Sequence, residues 1–340
     1  MLILSNCLAD KPDEGTVKVA FNLIKRIKQR TDSTIITYDR KSELSDVHLN
    51  LNKFMLSGEL RRLIRAEKQK VLYLPFPAKF FSTAVRVFIV SLYCADKLSV
   101  IITQQSHVSF ISKLLLRLSG AEFIVLSKSS EEIYRNIIGI PPRRIHYLKT
   151  GVDTERFCPV SEETARDLKL KYGFDPDRKL ILHCGHLNYG RNVDKLILLP
   201  KDYQILLVAS TLTKNEQDHE LRSKLLAAGN ISIIDDYVPD INELYQMSDA
   251  YFFPVESVGR CIDVPLSCLE AAACGTPVVT TAFGEMSCFV GESGFYFIES
   301  FDPDHLSQLI DSAIRSSDSN PRGAVLSYDW DKSISYFSNN

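Results

Sequence analysis

No stretch of the 340 residues reaches the roughly 18 consecutive apolar residues that a membrane-spanning helix needs. The opening MLILSNCLADKPDE lacks a basic segment followed by a full apolar one, so it does not read as a secretory leader. Both absences predict a cytoplasmic protein. Cysteine occurs eight times but never as C-x-x-C, and no histidine cluster accompanies it, so zinc is not expected. Cys261, Cys268 and Cys274 are irregularly spaced and read as buried thiols. Short repeats and low-complexity tracts are absent as well, which excludes a solenoid.

What is present is a 45% hydrophobic chain long enough for two domains of roughly 150 residues each. The net charge of -2 conceals a division: residues 1–150 carry 24 Lys and Arg against 13 Asp and Glu, and the remainder is correspondingly acidic. A basic half can attract anionic lipid or a phosphorylated acceptor, although interspersed solvated charge gives the same count. No aromatic-basic motif accompanies the charge, so nucleic acid is not an expected partner.

Short β-branched or apolar runs alternate with amphipathic helical patterns, which predicts parallel βαβ architecture. MLILSN, STIITY, VLYLP, LSVIIT and FIVLS read as strands of a first series, with helices between them and a last helix SSEEIYRNIIG. Pro141, Pro142, Gly151 and Pro159 then interrupt regular structure and mark a linker. A second series follows, with strands LILHCG, YQILLVAS, ISIID, AYFFPV, TPVVTT and FYFI, and with VDKLILL among its helices. The expected division is 1–155, 156–325, and a terminal helix over 326–340. Open α/β sheets bind ligands beyond the carboxyl ends of their strands.

Four segments carry chemistry. Tyr147 to Pro159 reads YLKTGVDTERFCP, Leu182 to Asp194 reads LHCGHLNYGRNVD, Tyr237 to Pro254 reads YVPDINELYQMSDAYFFP, and Asp263 to Val279 reads DVPLSCLEAAACGTPVV. Together they resemble the signatures of glycosyltransferase family 4, retaining enzymes of GT-B fold, over nearly the whole chain. The resemblance implies an α/β protein with two Rossmann-like, doubly wound parallel-sheet domains facing each other across a cleft. It also implies a metal-independent transferase without a cofactor, whose co-substrate is a nucleotide-diphosphate sugar.

In the family, Glu270 corresponds to the second carboxylate of E-x7-E, which binds the donor ribose hydroxyls; a carboxylate suits a diol because both oxygens accept hydrogen bonds. Leu266, Ser267 and Cys268 stand where helix amides meet the distal phosphate. Gly185 lets the backbone approach the diphosphate, while His186 and Arg191 occupy the two basic positions that neutralise the leaving group. Arg191 keeps a permanent charge and His186 only a partial one near neutral pH. Val238 corresponds to a backbone contact to the base. Glu14-Gly15-Thr16 resembles the G-G loop with one glycine missing, and Thr103-Gln-Gln-Ser-His107 resembles a T-x-H pattern near the sugar, leaving Gln105 or His107 for that role.

The first family carboxylate falls on Ile262, so the sugar contact passes to Asp263 or Glu256, or stays vacant. Pro265 also stiffens a loop that is glycine-rich in the family. The implied reaction moves a sugar with retention to a hydroxyl of a lipid-linked or cell-surface glycan precursor, as in polysaccharide biosynthesis. Arg61, Arg62, Arg65, Lys68, Lys70, Lys79 and Arg86 would favour an anionic membrane surface, making the protein peripheral on the inner face. A catalytically silent nucleotide-sugar-binding partner of another transferase and a GT-B sugar-nucleotide epimerase are the alternatives. A glycogen-type phosphorylase or synthase does not suit the short chain.

Overall fold

The computed structural model describes residues 1–76, 80–94, 97–104, 108–211, 217–256, 259, 261–316 and 318–338. Lys79, Gln105 and His107 lie outside the described residues. Two compact units are present: Met1–Thr150 with Cys261–Val264 and Trp330–Asn340, and Gly151–Arg260 with Pro265–Asp329. Among the described residues, no helix is long and apolar enough to cross a membrane.

The first unit is built on β1 (Leu2–Ser5), β2 (Thr34–Tyr38), β3 (Val47–Leu49), β4 (Val71–Leu74), β5 (Leu98–Ile102), β6 (Glu122–Val125) and β7 (Ile145–Tyr147). All pair in parallel, in the order β3-β2-β1-β4-β5-β6-β7. The central strands β1, β4 and β5 are buried at every residue, which is why they read as unbroken apolar runs: helices cover both faces. Those helices are α1 (Gly15–Arg30), α2 (Gly58–Ala66), α3 (Phe80–Cys94), α4 (Phe110–Leu118) and α5 (Lys128–Glu132). Glu14 caps α1, its carboxylate accepting from the Val17 amide at 3.3 Å, and Ser109 caps α4 by accepting from the Ser112 amide at 3.2 Å.

The second unit holds β8 (Leu180–Gly185), β9 (Gln204–Ala209), β10 (Ile231–Ile234), β11 (Ala250–Phe253), β12 (Val278–Thr280) and β13 (Phe295–Phe297). They form a parallel sheet in the order β10-β9-β8-β11-β12-β13. Around it lie α6 (Glu162–Lys171), α7 (His219–Ala227), α8 (Ile241–Gln246), α9 (Leu266–Ala273), α10 (Pro303–Arg315) and α11 (Pro321–Val325). The last helix, α12 (Trp330–Ser338), belongs to the first unit and packs on α1. Asp331 pairs there with Arg30 at 2.9 Å and Arg26 at 3.7 Å.

In both sheets the chain winds outward from one strand, then returns to its other side. The reversal falls between β1 and β4 in the first unit and between β8 and β11 in the second. At such a point the loops leaving two adjacent strands diverge and open a crevice.

Three local expectations are corrected. VDKLILL forms not an α-helix but a 3-10 stretch, Val193–Leu198, a short connector held between left-handed Asn192 (φ 56) and Pro200. Ile133–Ile138 of the segment SSEEIYRNIIG winds as a π-helix, ended by Gly139 at φ 80. The linker contains β7, an edge strand of three residues too short to show a period.

Candidate functional site

At the second unit's reversal point, the end of β8 and the loop that follows it carry Gly185, His186 and Arg191. Asn192 spans that point: its amide nitrogen donates to the Pro254 carbonyl at 3.0 Å and to Glu256 Oε2 at 2.8 Å, joining the loop after β8 to the loop after β11. Arg191 ends a 3-10 turn, Tyr189–Arg191, and is 9% exposed. Gly185 sits beneath it. A Cβ on Gly185 would stand 3.5 Å from Arg191 Nη1 and 3.1 Å from His183 Nε2, so a side chain there would crowd the His183 ring.

His183 is fully buried inside β8, its ring stacked on Phe253 at 5.9 Å. Its Nδ1 lies 2.8 Å from the Phe252 carbonyl, which can only accept, so the proton is on Nδ1 and Nε2 carries a lone pair. Burial, followed by the nearby Arg191 charge, pushes its pKa down to about 4 despite the Phe252 bond. His186 is lowered to about 3, first by burial and then by Arg191. At neutral pH both imidazoles are therefore uncharged, and Arg191 is the cation of the loop.

Neutral buried histidine has a consequence for stability. Unfolded histidine binds a proton near pH 6.5, whereas folded His183 waits until about 4. Between those values the unfolded state holds more protons, so stability is intact above 6.5 and falls as pH drops toward 4, by about 3 kcal/mol for this one group. Urea unfolding across that range should show the loss, and His183→Gln should flatten its share. An unchanged slope in the variant would mean that another group titrates there.

Glu270 lies on α9, 6% exposed, and its Oε2 accepts from the Tyr245 hydroxyl at 2.9 Å. Tyr245, on α8, packs edge-on against Tyr251 with centroids 5.6 Å apart. The Tyr251 hydroxyl donates to the Cys184 carbonyl at 3.2 Å and also bonds the Ser267 side chain. Glu270, Ser267 and the end of β8 are thus tied through two buried tyrosines. Pro265 caps α9 and leads its first turn, in which the Leu266 and Ser267 amides point toward the helix N-terminus while the Cys268 amide donates to the Pro265 carbonyl at 3.0 Å. Gly275, at φ 82, lets the chain leave α9. Val238 is half-buried on the loop between β10 and α8.

The remaining predicted residues fall elsewhere. Gly15 opens α1 in the first unit, where an added Cβ would meet Ile262 Cδ1 at 2.9 Å. Ile262 fills the space over that glycine. Asp263 is 3% exposed and belongs to the first unit too; its amide donates to the Thr103 carbonyl at 3.0 Å. Its Oδ2 accepts from the Ser127 hydroxyl at 2.9 Å and from the Ser130 hydroxyl. Asp263→Ala leaves both hydroxyls without that acceptor and should lower stability by about 2–4 kcal/mol, read as a drop in Tm. A melt unchanged within error would remove Asp263 as the clasp of this loop.

His183, Asn192, Tyr245 and Tyr251 were not singled out by sequence. The available signals were a histidine inside an apolar strand and two tyrosines inside the segment running from Tyr237 to Pro254.

Two doubly wound parallel sheets, the second with a buried carboxylate and a cationic loop at its reversal point, have the architecture of the GT-B class. The solved structure of Anabaena Alr3699/HepE in complex with UDP-glucose shares this fold at a TM-score of 0.79. That likeness covers 100% of this chain and 98% of that one at 16% identity. Residues 165–323 match the family described as Glycosyl transferases group 1. A D-inositol 3-phosphate glycosyltransferase of Rhodococcus jostii (strain RHA1) is 28% identical over 186 residues, 49% of this chain. A GDP-mannose-dependent monoacylated alpha-(1-6)-phosphatidylinositol monomannoside mannosyltransferase of Corynebacterium glutamicum is 30% identical over 217 residues, 58% of this chain. The chain spans 39% and 55% of these two relatives' own lengths.

Proposed function

We propose that the chain transfers a sugar from a nucleoside-diphosphate donor to a hydroxyl acceptor, with retention and without a metal. The observation that carries this reading is the buried Glu270 carboxylate, tied through Tyr245 and Tyr251 to the end of β8, from which the Arg191 loop departs. Glu270 accepts from the ribose diol. The first-turn amides of α9 and Arg191 hold the diphosphate, and their grip strengthens as negative charge grows on the departing phosphate. Burial and Arg191 keep His186 uncharged, and an anion beside it favours its protonated form. The acceptor hydroxyl attacks on the face the leaving group vacates, passing its proton to a departing phosphate oxygen. The acceptor is a lipid-linked or surface glycan precursor, met at the inner face of a membrane.

Asp263, bonded to Ser127 and Ser130, acts in this scheme as a positioning residue. The same observation favours a second reading, a nucleotide-sugar-binding partner without turnover, since the carboxylate nearest the missing first position is already engaged. A panel of UDP-, GDP- and ADP-sugars separates the two. Slow donor hydrolysis supports transfer; binding of a donor with neither hydrolysis nor transfer to any glycolipid acceptor supports the partner; isomerised sugar refutes both.

A further inference from the structure

The large apolar side chains left in water are concentrated on one layer of the first unit. On α3, Phe81 and Leu92 are exposed and Val85 and Phe88 half-exposed, at spacings of four, three and four residues that form a single stripe. On α4, Phe110 is 80% and Leu118 63% exposed, with Ile111 and Leu114 between them. The two helices pack against each other, so the stripes are carried by neighbouring helices. Neither helix contains an acidic residue: Arg86 on α3 and Lys113 and Arg117 on α4 are their only charges. Beside α3 lies α2, whose exposed Arg61, Arg62 and Arg65 outnumber its one acid, Glu59.

We infer that this α3–α4 face is a membrane-docking surface for anionic bilayers, with the apolar stripes entering the headgroup boundary and the α2 arginines lying against the phosphates. Charge selects this occupant. A second copy of the chain, meeting the face through its own, would oppose cations with cations across an apolar seam. A bilayer of anionic lipid accepts both components, because apolar side chains sink below the level at which the guanidinium groups reach phosphate. This deepens the membrane-proximal part of the proposed function but draws on residues away from the donor site.

Cosedimentation with vesicles tests it. Wild-type protein should bind phosphatidylcholine–phosphatidylglycerol vesicles, bind pure phosphatidylcholine much more weakly, and be released at about 0.5 M salt. Phe110→Ser with Leu114→Ser, both at exposed positions, should weaken binding roughly tenfold or more, as should Arg61→Gln, Arg62→Gln and Arg65→Gln together. Nucleotide affinity, measured on the same variants, should be unchanged and controls for folding. Absence of vesicle binding, or binding that ignores both sets of changes, overturns the inference. So does a concentration-dependent dimer, in sedimentation velocity, that the Phe110 and Leu114 changes abolish. Vesicle binding without donor turnover leaves the face standing and removes the transferase reading instead.

Discussion

Glu270→Ala is expected to reduce nucleotide-sugar affinity roughly a hundredfold. Hydrogen bonds from hydroxyls to a buried carboxylate contribute about 1.5–3 kcal/mol each, and a diol makes two, so the lower end of that range suffices. The substitution has a second effect, since the Tyr245 hydroxyl loses its acceptor at 2.9 Å inside a buried cluster. Tyr245→Phe separates the two: it removes that internal bond, leaves the carboxylate, and should change affinity far less. Titration calorimetry with UDP, GDP, ADP and their sugars reads all of these. Equal nucleotide affinity in wild-type and Glu270→Ala protein would mean that the ribose is held elsewhere.

The residues of Glu270's helix show why this part of the site was legible. Helix α9 is buried along almost its whole length, so packing and the helix end together constrain the run LSCLEAAACG. The strands were legible for a related reason. LILHCG is strand β8 residue for residue, and VLYLP and LSVIIT overlap β4 and β5, since strands covered on both faces must be apolar throughout. Edge strands escape that demand. β3 and β7 are each three residues long and partly exposed, so VHL and IHY carry no signal above their surroundings.

Long-range partnership was the part that sequence withheld. Asp263 stands in the donor-loop segment, one place from the position of the missing carboxylate, and its composition suited a sugar contact. Its partners Ser127 and Ser130 lie more than a hundred residues away, and no local pattern announces them. His183 is similar. A histidine in an apolar strand reads as a satisfied core residue, and indeed Nδ1 is satisfied by Phe252, while Nε2 faces the Gly185–Arg191 turn. Its charge state follows from burial and from Arg191, neither of which a window of sequence contains.

Arg191→Ala should lower kcat by about a hundred- to a thousandfold, the range found when one preorganised donor to a developing charge is lost, with a smaller rise in KM. His183 and His186 are both uncharged near neutral pH, so the loop after β8 has one permanent cation, and the turn is built around it. In the proposed transfer the charge on the diphosphate is larger in the transition state than in the bound donor, so the loss is expected mainly on the chemical step. Arg191→Lys keeps a charge but loses the fork, and should recover about one order of magnitude. His186→Ala should cost less than Arg191→Ala at pH 7.5. Donor hydrolysis and transfer kinetics with the nucleotide-sugar found active in the panel provide the readout. If Arg191→Ala instead raised KM a hundredfold and left kcat unchanged, the residue would be holding the ground-state donor alone, and the leaving-group charge would be met by the first-turn amides of α9.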